Sequence, residues 1–252
     1  MYIEKSRVEW IKNLLPDTYL LRVHSPLIAS RIKPGQFCNI KVSESDFPLL
    51  RRPFSICEVD GEFLHFMFDV HGEGTKILSN KQKDDVIDIL GPLGNGFDYT
   101  GDYSTAIIAA GGIGIAPFPY LIQKLTDDKK IISFFGGRSK NNIIEYGMKN
   151  LLISTDDGSS GFKGNVVQLI ESQFDQFRNE TVRIFACGPN PMLKALQEFS
   201  IKNNIECQIS TESAMACGFG ICQGCPIDNA DGDGYYLICK DGPVFDAKMV
   251  KL

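Results

Sequence analysis

The sequence lacks the features that would place it in a membrane or on a nucleic acid. It has no apolar run near the roughly 18–20 residues that a membrane-spanning helix needs. It has no excess of positive charge, since 31 acidic side chains outnumber 26 basic ones. We therefore expect neither nucleic acid nor a membrane as a partner. Residues 1–5 include Glu4 and no apolar stretch, so we expect no signal peptide and a cytoplasmic location.

Groups for acid–base catalysis are also scarce. The chain has only three histidines, His24, His65 and His71, and none falls in a motif typical of an active site. We find no Ser/His/Asp set and no paired carboxylates. The histidines are therefore interpreted as surface or strand residues. A chain of this composition is expected to carry out little substrate chemistry of its own.

Cysteine is the residue type with the most informative distribution. Half of the eight cysteines fall between residues 217 and 239, with the spacing C-x4-C-x2-C-x13-C. This is the plant-type ligand pattern of a [2Fe–2S] cluster, and the glycines between the cysteines let the loop wrap around it. The alternative is a four-cysteine zinc site in a non-redox binding module, although zinc ligands usually come as two short pairs. The predicted ligands are Cys217, Cys222, Cys225 and Cys239.

The order of apolar runs predicts three parts. Residues 1–98 contain short runs rich in β-branched and aromatic residues, including 8–11, separated by turns such as 72–75, which is typical of an antiparallel barrel or sandwich. Residues 102–210 alternate apolar strands with helices at 118–125 and 191–201, which indicates a parallel sheet. Residues 211–252 hold the cysteine cluster and show little periodicity.

Two glycine turns in the second part are candidate nucleotide-binding loops. Gly112 and Gly114 follow a predicted strand and open a helix, so a pyrophosphate could approach the free amides there; a tight turn without a ligand is the alternative. Gly188 follows another predicted parallel strand, at the edge where open α/β sheets bind ligands. Its neighbour Cys187 could face a nicotinamide as a catalytic residue, or be a buried thiol beside a helix.

A third set of motifs completes a family resemblance. Arg52 and Ser55 could place a guanidinium on a phosphate and a hydroxyl beside a flavin ring, and Gly74 and Thr75 form a second phosphate-binding turn. In this order the motifs resemble the ferredoxin–NADP reductase superfamily. The resemblance implies a multidomain flavoprotein with an FAD-binding β-barrel at residues 1–100, an NAD-binding α/β domain at 101–210 and a [2Fe–2S] domain at 211–252.

The resemblance also implies roles for individual residues. Members of this superfamily often carry Arg just before the second glycine turn, where this chain has Asp69. An aspartate cannot pair with a pyrophosphate, so Asp69 is expected to contribute backbone contact only. Arg52 or Arg51 then supplies the positive charge. The residues expected to hold FAD are Arg52, Pro53, Phe54, Ser55, Met67, Phe68, Asp69, Gly74 and Thr75.

The cysteine-rich tail is similar to that of the electron-transfer subunits of dihydroorotate dehydrogenase B. This similarity implies a heterotetramer with an FMN-containing dihydroorotate dehydrogenase subunit, in which electrons pass from FMN through the cluster and FAD to NAD. Subunits of ferredoxin-linked NAD(P) oxidoreductases have a similar tail, but typically Asp at the position of Cys217. Arg138 could reach the 2′-phosphate of NADP, so the sequence allows NADP as the nucleotide. The resemblance favours NAD. Phe219 and Ile221 are expected either to dock the partner or to pack against the flavin domain.

Overall fold

In a computed structural model, which describes residues 1–45 and 47–252, the first part of the chain is a closed six-stranded barrel. Two short helices, α1 (Pro26–Ala29) and α2 (Glu73–Ser79), lie between its strands. The strands are β1 (Tyr2–Leu15), β2 (Thr18–His24), β3 (Phe37–Lys41), β4 (Arg52–Asp60), β5 (Phe63–Asp69) and β6 (Val86–Leu93). They pair in the order β1-β2-β5-β4-β3-β6, and every pair is antiparallel.

Strand β3 separates two hydrophobic cores. Cys38 and Ile40 pack inside the barrel, whereas Phe37 packs with residues of the parallel sheet and of the C-terminal segment. Because side chains alternate along a strand, Asn39 lies on the same face as Phe37. Both residues are nevertheless buried, since the rest of the chain covers the outside of the barrel here. This strand is therefore a wall shared by the barrel and the C-terminal segment.

Two local sequence predictions in the barrel were incomplete. The strand expected at residues 8–11 is part of a much longer strand, β1. The turn expected at residues 72–75 is the beginning of helix α2, with Gly72 as its N-cap. The Thr75 hydroxyl accepts hydrogen bonds from the amides of His71 (3.0 Å) and Gly72 (3.2 Å), and these contacts cap the helix.

The second part of the chain confirms the predicted parallel sheet. Its parallel strands are β7 (Thr105–Gly111), β8 (Lys130–Gly137), β9 (Leu151–Thr155), β10 (Phe162–Lys163), β11 (Val182–Cys187) and β12 (Glu206–Ser210), in the order β10-β9-β8-β7-β11-β12. Every residue of the central strand β7 is buried, which explains its continuous apolar sequence. The strand order reverses direction at β7, so a ligand-binding crevice is expected at its carboxyl end.

Three helices cover this sheet. α3 (Phe118–Lys124) and α5 (Asn190–Lys202) confirm the two predicted helices, while α4 (Val166–Gln173) was not predicted. Asn165 and Gln168 form a capping box at the start of α4. The longest helix of the described chain, α5, has 13 residues, and no helix among the described residues is long and apolar enough to cross a membrane.

The C-terminal segment packs on both larger parts. Its strands β13 (Pro226–Asp228) and β14 (Tyr235–Leu237) form a separate hairpin, and β15 (Val244–Asp246) joins the parallel sheet antiparallel to β12. On the barrel side, the Asn95 side chain donates a hydrogen bond to the carbonyl of Asp241 (2.8 Å). The cysteine-rich segment is therefore held firmly against both the barrel and the sheet.

A half-buried carboxylate connects the barrel to the second part of the chain. Glu58 of β4 accepts hydrogen bonds from Nδ1 of His65 (3.1 Å) and from the side chain of Gln123 on α3 (2.8 Å), and also from the hydroxyl of Tyr146. The hydrogen bond from His65, followed by those from Tyr146 and Gln123, outweighs burial and lowers the pKa of Glu58 to about 2. The ionised carboxylate therefore stabilises the contact between the two parts.

We expect Glu58→Gln to lose about 1–3 kcal/mol of stability near neutral pH. The pKa of Glu58 is lower in the folded chain than its unfolded value of about 4.3, so its contribution is present above that pH. It is lost as the pH falls towards about 2. Urea unfolding at a series of pH values measures the difference between wild type and variant, which should shrink over this range. Glu62→Gln is the control, because Glu62 faces His24 at 2.9 Å on the surface. An equal loss in both variants would contradict the prediction.

Candidate functional site

The two motifs assigned to phosphate binding meet at the start of α2. Arg52 is the first residue of β4, and a methyl group at Gly74 would lie 2.8 Å from its Nε atom. The neighbouring Thr75 hydroxyl is occupied in capping the helix. A guanidinium fixed beside a glycine, where a main chain can be approached closely, is suited to a phosphate. These residues therefore fit one end of a dinucleotide.

Arg51 lies in a different environment from Arg52. Its Nη2 is 2.6 Å from Oδ1 of Asp88, and its Nη1 donates to the Asp88 carbonyl at 2.9 Å. The side chains of this pair are only 21% and 13% exposed. Because its guanidinium is occupied, Arg51 is not available for a phosphate, and Arg52 is the better candidate of the two.

A pocket of about 240 Å³ lies between the barrel and the first loop of the parallel sheet. Its second wall includes Ile113, Pro117 and Thr211. An apolar slot with a few polar groups is the usual composition of a cofactor pocket. The barrel side consists largely of residues predicted to hold FAD, namely Pro53, Phe54, Ser55, Met67, Phe68, Asp69 and Thr75.

A larger cleft of about 720 Å³ opens at the carboxyl ends of the parallel strands. The predicted glycines Gly112, Gly114 and Gly188 all line it, so the two glycine turns come together. Gly114 packs so tightly that a methyl group there would lie 2.4 Å from the carbonyl oxygen of Cys187. Only glycine fits that approach, and the cleft has the position and shape expected for a dinucleotide.

Cys187 is the last residue of β11, at the edge of this cleft. Its side chain is 2% exposed and packs in a hydrophobic core. Burial, together with the charge of Glu212, raises the pKa of the Cys187 thiol, while Ser210 opposes the shift. The thiol is therefore protonated at neutral pH. Its assignment as a catalytic residue stays a prediction, and this environment favours the packing alternative.

The pocket and the cleft join at a small group of shared residues. Asp69, His71, Ile113 and Glu212 line both spaces. Asp69 accepts a hydrogen bond from the Thr18 hydroxyl at 2.6 Å, so its carboxylate is held by the barrel. His71 and Glu212 were not predicted as site residues. The only signal in the sequence was their position. His71 lies beside the Gly72 turn, and Glu212 lies just after the carboxyl end of β12.

The four clustered cysteines form two pairs. Sγ of Cys217 accepts hydrogen bonds from the amides of Phe219 and Cys222, each at 3.5 Å, and the amide of Cys239 donates to Sγ of Cys225 at 3.4 Å. Burial acts to raise the pKa of Cys217, but the surrounding amides outweigh it and lower the value to about 6. Burial, with the adjoining Cys225, raises the pKa of Cys239 to about 12. Cys217 is thus already suited to being a thiolate ligand.

The pairing distinguishes between the two predicted metal sites. A [2Fe–2S] cluster takes two cysteines at each of its irons, whereas a structural zinc ion takes four ligands around one point. The Cys217–Cys222 and Cys225–Cys239 pairs therefore fit the two-iron cluster better than zinc.

One side of the cysteine site is open and the other is closed. Cys225 and Cys239 are each 2% exposed and share a core with Phe37, which also lines the flavin-type pocket. Cys222 is exposed, and Ile221 beside it is 77% exposed. The closed side therefore belongs to a core that reaches the pocket through Phe37, and the open side is exposed to solvent.

The fold and sites define the class of protein: a ferredoxin–NADP reductase-type fold with an added iron–sulfur domain. Residues 212–251 match the family described as the iron-sulfur cluster binding domain of dihydroorotate dehydrogenase B. The chain is 40% identical over 221 residues to the dihydroorotate dehydrogenase B (NAD(+)) electron transfer subunit of Caldanaerobacter subterraneus subsp. tengcongensis, covering 86% of each chain. It is 36% identical to the subunit of the same name from Fusobacterium nucleatum subsp. nucleatum, covering 100% of each. The chain belongs to this family of electron transfer subunits.

Solved structures agree with the fold. The structure of the NADH-dependent reduced ferredoxin-NADP oxidoreductase superposes with a TM-score of 0.87 at 26% identity, covering 98% of this chain and 90% of that one. A ferredoxin NADP+ reductase from Neisseria gonorrhoeae with bound FAD and NADP has a TM-score of 0.64 at 17% identity, covering 80% and 92%. The second similarity concerns the fold alone.

Proposed function

We propose that this chain carries electrons from the FMN of a dihydroorotate dehydrogenase subunit, through a [2Fe–2S] cluster and FAD, to NAD+. The observation that carries the proposal is that the flavin-type pocket shares lining residues with the nucleotide cleft and is linked by one hydrophobic core to two of the predicted cluster ligands. Phe37 lines the flavin-type pocket and packs in one core with Cys225 and Cys239. Asp69 and Ile113 line both that pocket and the nucleotide cleft. Electrons can therefore pass between adjacent sites within one chain.

The cofactors in this order supply a conversion between one-electron and two-electron transfer, since a cluster moves single electrons, nicotinamide moves a hydride, and flavin does both. The chain's own residues bind and orient. Arg52 beside Gly74 would hold the FAD pyrophosphate, and the Ser55 hydroxyl would lie along the flavin ring. Gly112 and Gly114 would admit the NAD pyrophosphate.

NAD is the nucleotide that the cleft fits better. Arg138 at the end of β8 lies in the cleft, as a 2′-phosphate would require, but so does Asp156 at the end of β9. A carboxylate beside the ribose can bind the 2′-hydroxyl of NAD and repels the extra phosphate of NADP. The balance of these two side chains supports NAD.

The partner is proposed to dock on the open side of the cysteine site. Ile221 and Phe219 are 77% and 38% exposed there, and exposed apolar side chains around a redox site are suited to a protein contact. We propose a heterotetramer built on a dimer of the FMN-containing subunit. We also propose a cytoplasmic location, which the absence of disulfides among the eight described cysteines supports.

Reconstitution with the purified FMN-containing subunit tests the proposal. Alone, the chain should oxidise NADH with an artificial acceptor and leave dihydroorotate unchanged. With the partner, dihydroorotate oxidation should become coupled to NAD+ reduction, which is followed at the absorbance of NADH. Oxidation of dihydroorotate by the chain alone, or failure of the partner to reduce its FAD, would contradict the proposal.

The same assay addresses the second candidate function, a subunit of a ferredoxin-linked NAD(P) oxidoreductase. The high structural similarity to the NADH-dependent reduced ferredoxin-NADP oxidoreductase favours it. Cys217 at the first ligand position counts against it. Reduction of the FAD by reduced ferredoxin but not by the dihydroorotate dehydrogenase subunit would establish this alternative.

A further inference from the structure

A buried asparagine lies between the flavin-type pocket and the cysteine loop. Asn39 is at the centre of β3, fully buried, and pairs with Pro53 of β4 on one side and Leu90 of β6 on the other. Pro53 lines the pocket, as does Phe37 two residues before Asn39. A polar side chain at such a position needs an explanation, because an apolar residue would pack there without unsatisfied polar atoms.

The side chain of Asn39 contacts the loop that carries the first cysteine ligand. Its Nδ2 donates a hydrogen bond to the carbonyl of Cys217 at 3.3 Å. The fit is close, since a methyl group at Gly218 would lie 2.1 Å from Nδ2. Gly218 has a φ of +81°, so glycine is required here for the turn as well as for space. The amide of Asn39 therefore fixes the peptide that joins Cys217 to Gly218.

The other contacts of Asn39 hold it in place. Its main-chain carbonyl accepts a hydrogen bond from Nη1 of Arg51 at 3.4 Å, and Arg51 is itself paired with Asp88. Its side-chain Oδ1 is buried and has no hydrogen-bond partner in the described part of the chain. The one polar contact that its side chain makes is thus the contact with the cysteine loop.

We propose that Asn39 is a positioning residue that sets the reduction potential of the cluster by fixing the main chain at Cys217. The peptide it holds leads directly into the turn whose amides, from Phe219 and Cys222, point at Sγ of Cys217. Hydrogen bonds to a ligand sulfur stabilise the additional electron of the reduced state. Loosening this turn weakens those bonds, so the cluster becomes harder to reduce. The proposal rests on the proposed function only for the presence of FAD and the cluster.

The test is an EPR-monitored redox titration of the whole chain with FAD and cluster bound, in wild type, Asn39→Leu and Asn39→Asp. Both replacements are close to asparagine in size and remove the amide donor. We expect the reduction equilibrium to shift about tenfold towards the oxidised cluster in Asn39→Leu, which is about 59 mV for a one-electron couple. Asn39→Asp should shift it further in the same direction, because it adds negative charge. Asn13→Leu is the control. Asn13 is exposed and lies in β1, far in the sequence from the cysteine loop.

The outcomes separate this role from a purely structural one. A fully occupied cluster with a wild-type midpoint in both Asn39 variants would overturn the proposal, as would an equal shift in Asn13→Leu. Loss of the cluster in both Asn39 variants, with or without loss of FAD, would mean that Asn39 only holds the ligand loop together and would overturn the proposal. Neither NAD nor a partner enters the titration. A wild-type chain without a paramagnetic cluster would therefore overturn the proposed function itself.

Discussion

Cys222→Ala should abolish the paramagnetic signal of the reduced cluster while FAD remains bound. Cys222 is exposed, so its replacement removes a ligand and almost no packing. The FAD motifs lie in the barrel, away from this loop in the sequence, and should be unaffected. With the partner present, electron flow from dihydroorotate to NAD+ should fall to background, whereas oxidation of NADH by an artificial acceptor through FAD should continue. EPR, iron analysis and the two activity assays measure these effects.

Cys207→Ala is the matched control for this experiment. Cys207 lies in β12, is 2% exposed and is not part of the C-x4-C-x2-C-x13-C motif. Its loss should lower stability slightly, as expected for a smaller core side chain, and leave the cluster signal intact. A wild-type signal in Cys222→Ala, or an equal loss in Cys207→Ala, would show that the ligand set is wrong. Bound zinc in place of iron in wild type would exclude the cluster altogether.

The cysteine motif and the succession of a barrel and a parallel sheet could be recognised in the sequence because each signal is local. All four cysteines lie within residues 217–239, and the alternation of strands and helices is read along neighbouring residues. The start of α4, a helix that was not predicted, carries a local signal too, the capping box of Asn165 and Gln168. Such features depend on residues a few positions apart.

The junctions between sites could not be predicted in this way. Asn39 and Cys217 are 178 positions apart, and Glu58 and Tyr146 are 88 apart. The packing of the C-terminal segment on the barrel brings the first pair together, and the packing of the second part of the chain on the barrel brings the second pair together. His71 and Glu212 belong to no motif, and only the joining of the pocket and the cleft identifies them. Contacts between distant elements therefore required the structure.

The adjacent residues Arg51 and Arg52 are distinguished by their surroundings in the fold. From the sequence alone, either Arg52 or Arg51 could supply the positive charge at the phosphate, because Arg52 begins the flavin motif and Arg51 directly precedes it. The structure places Arg51 in an ion pair with Asp88 and Arg52 against Gly74. The two residues have the same chemistry, so only their surroundings distinguish them, and this difference supplies a matched pair of variants.

Arg52→Ala is expected to weaken FAD binding by about one to two decades, because a charge-assisted contact to a phosphate contributes roughly 1.5–3 kcal/mol. The dissociation constant is measured by titrating FAD into the apo chain and following the quenching of flavin fluorescence. Arg52→Lys should recover part of the affinity, since it restores the charge but not the two-pronged geometry of the guanidinium. The loss in Arg52→Ala should also shrink at high salt, as expected for an ionic contact.

Arg51→Ala is the decisive comparison. It removes the same side chain one residue away, together with the 2.6 Å ion pair to Asp88, so we expect a lower melting temperature but an FAD affinity near that of wild type. The two variants should thus separate stability from flavin binding. Equal affinity in Arg52→Ala and wild type, or an equal loss of affinity in Arg51→Ala, would mean that Arg52 does not carry the phosphate charge, and the pyrophosphate would have to be held by main-chain amides of α2 instead.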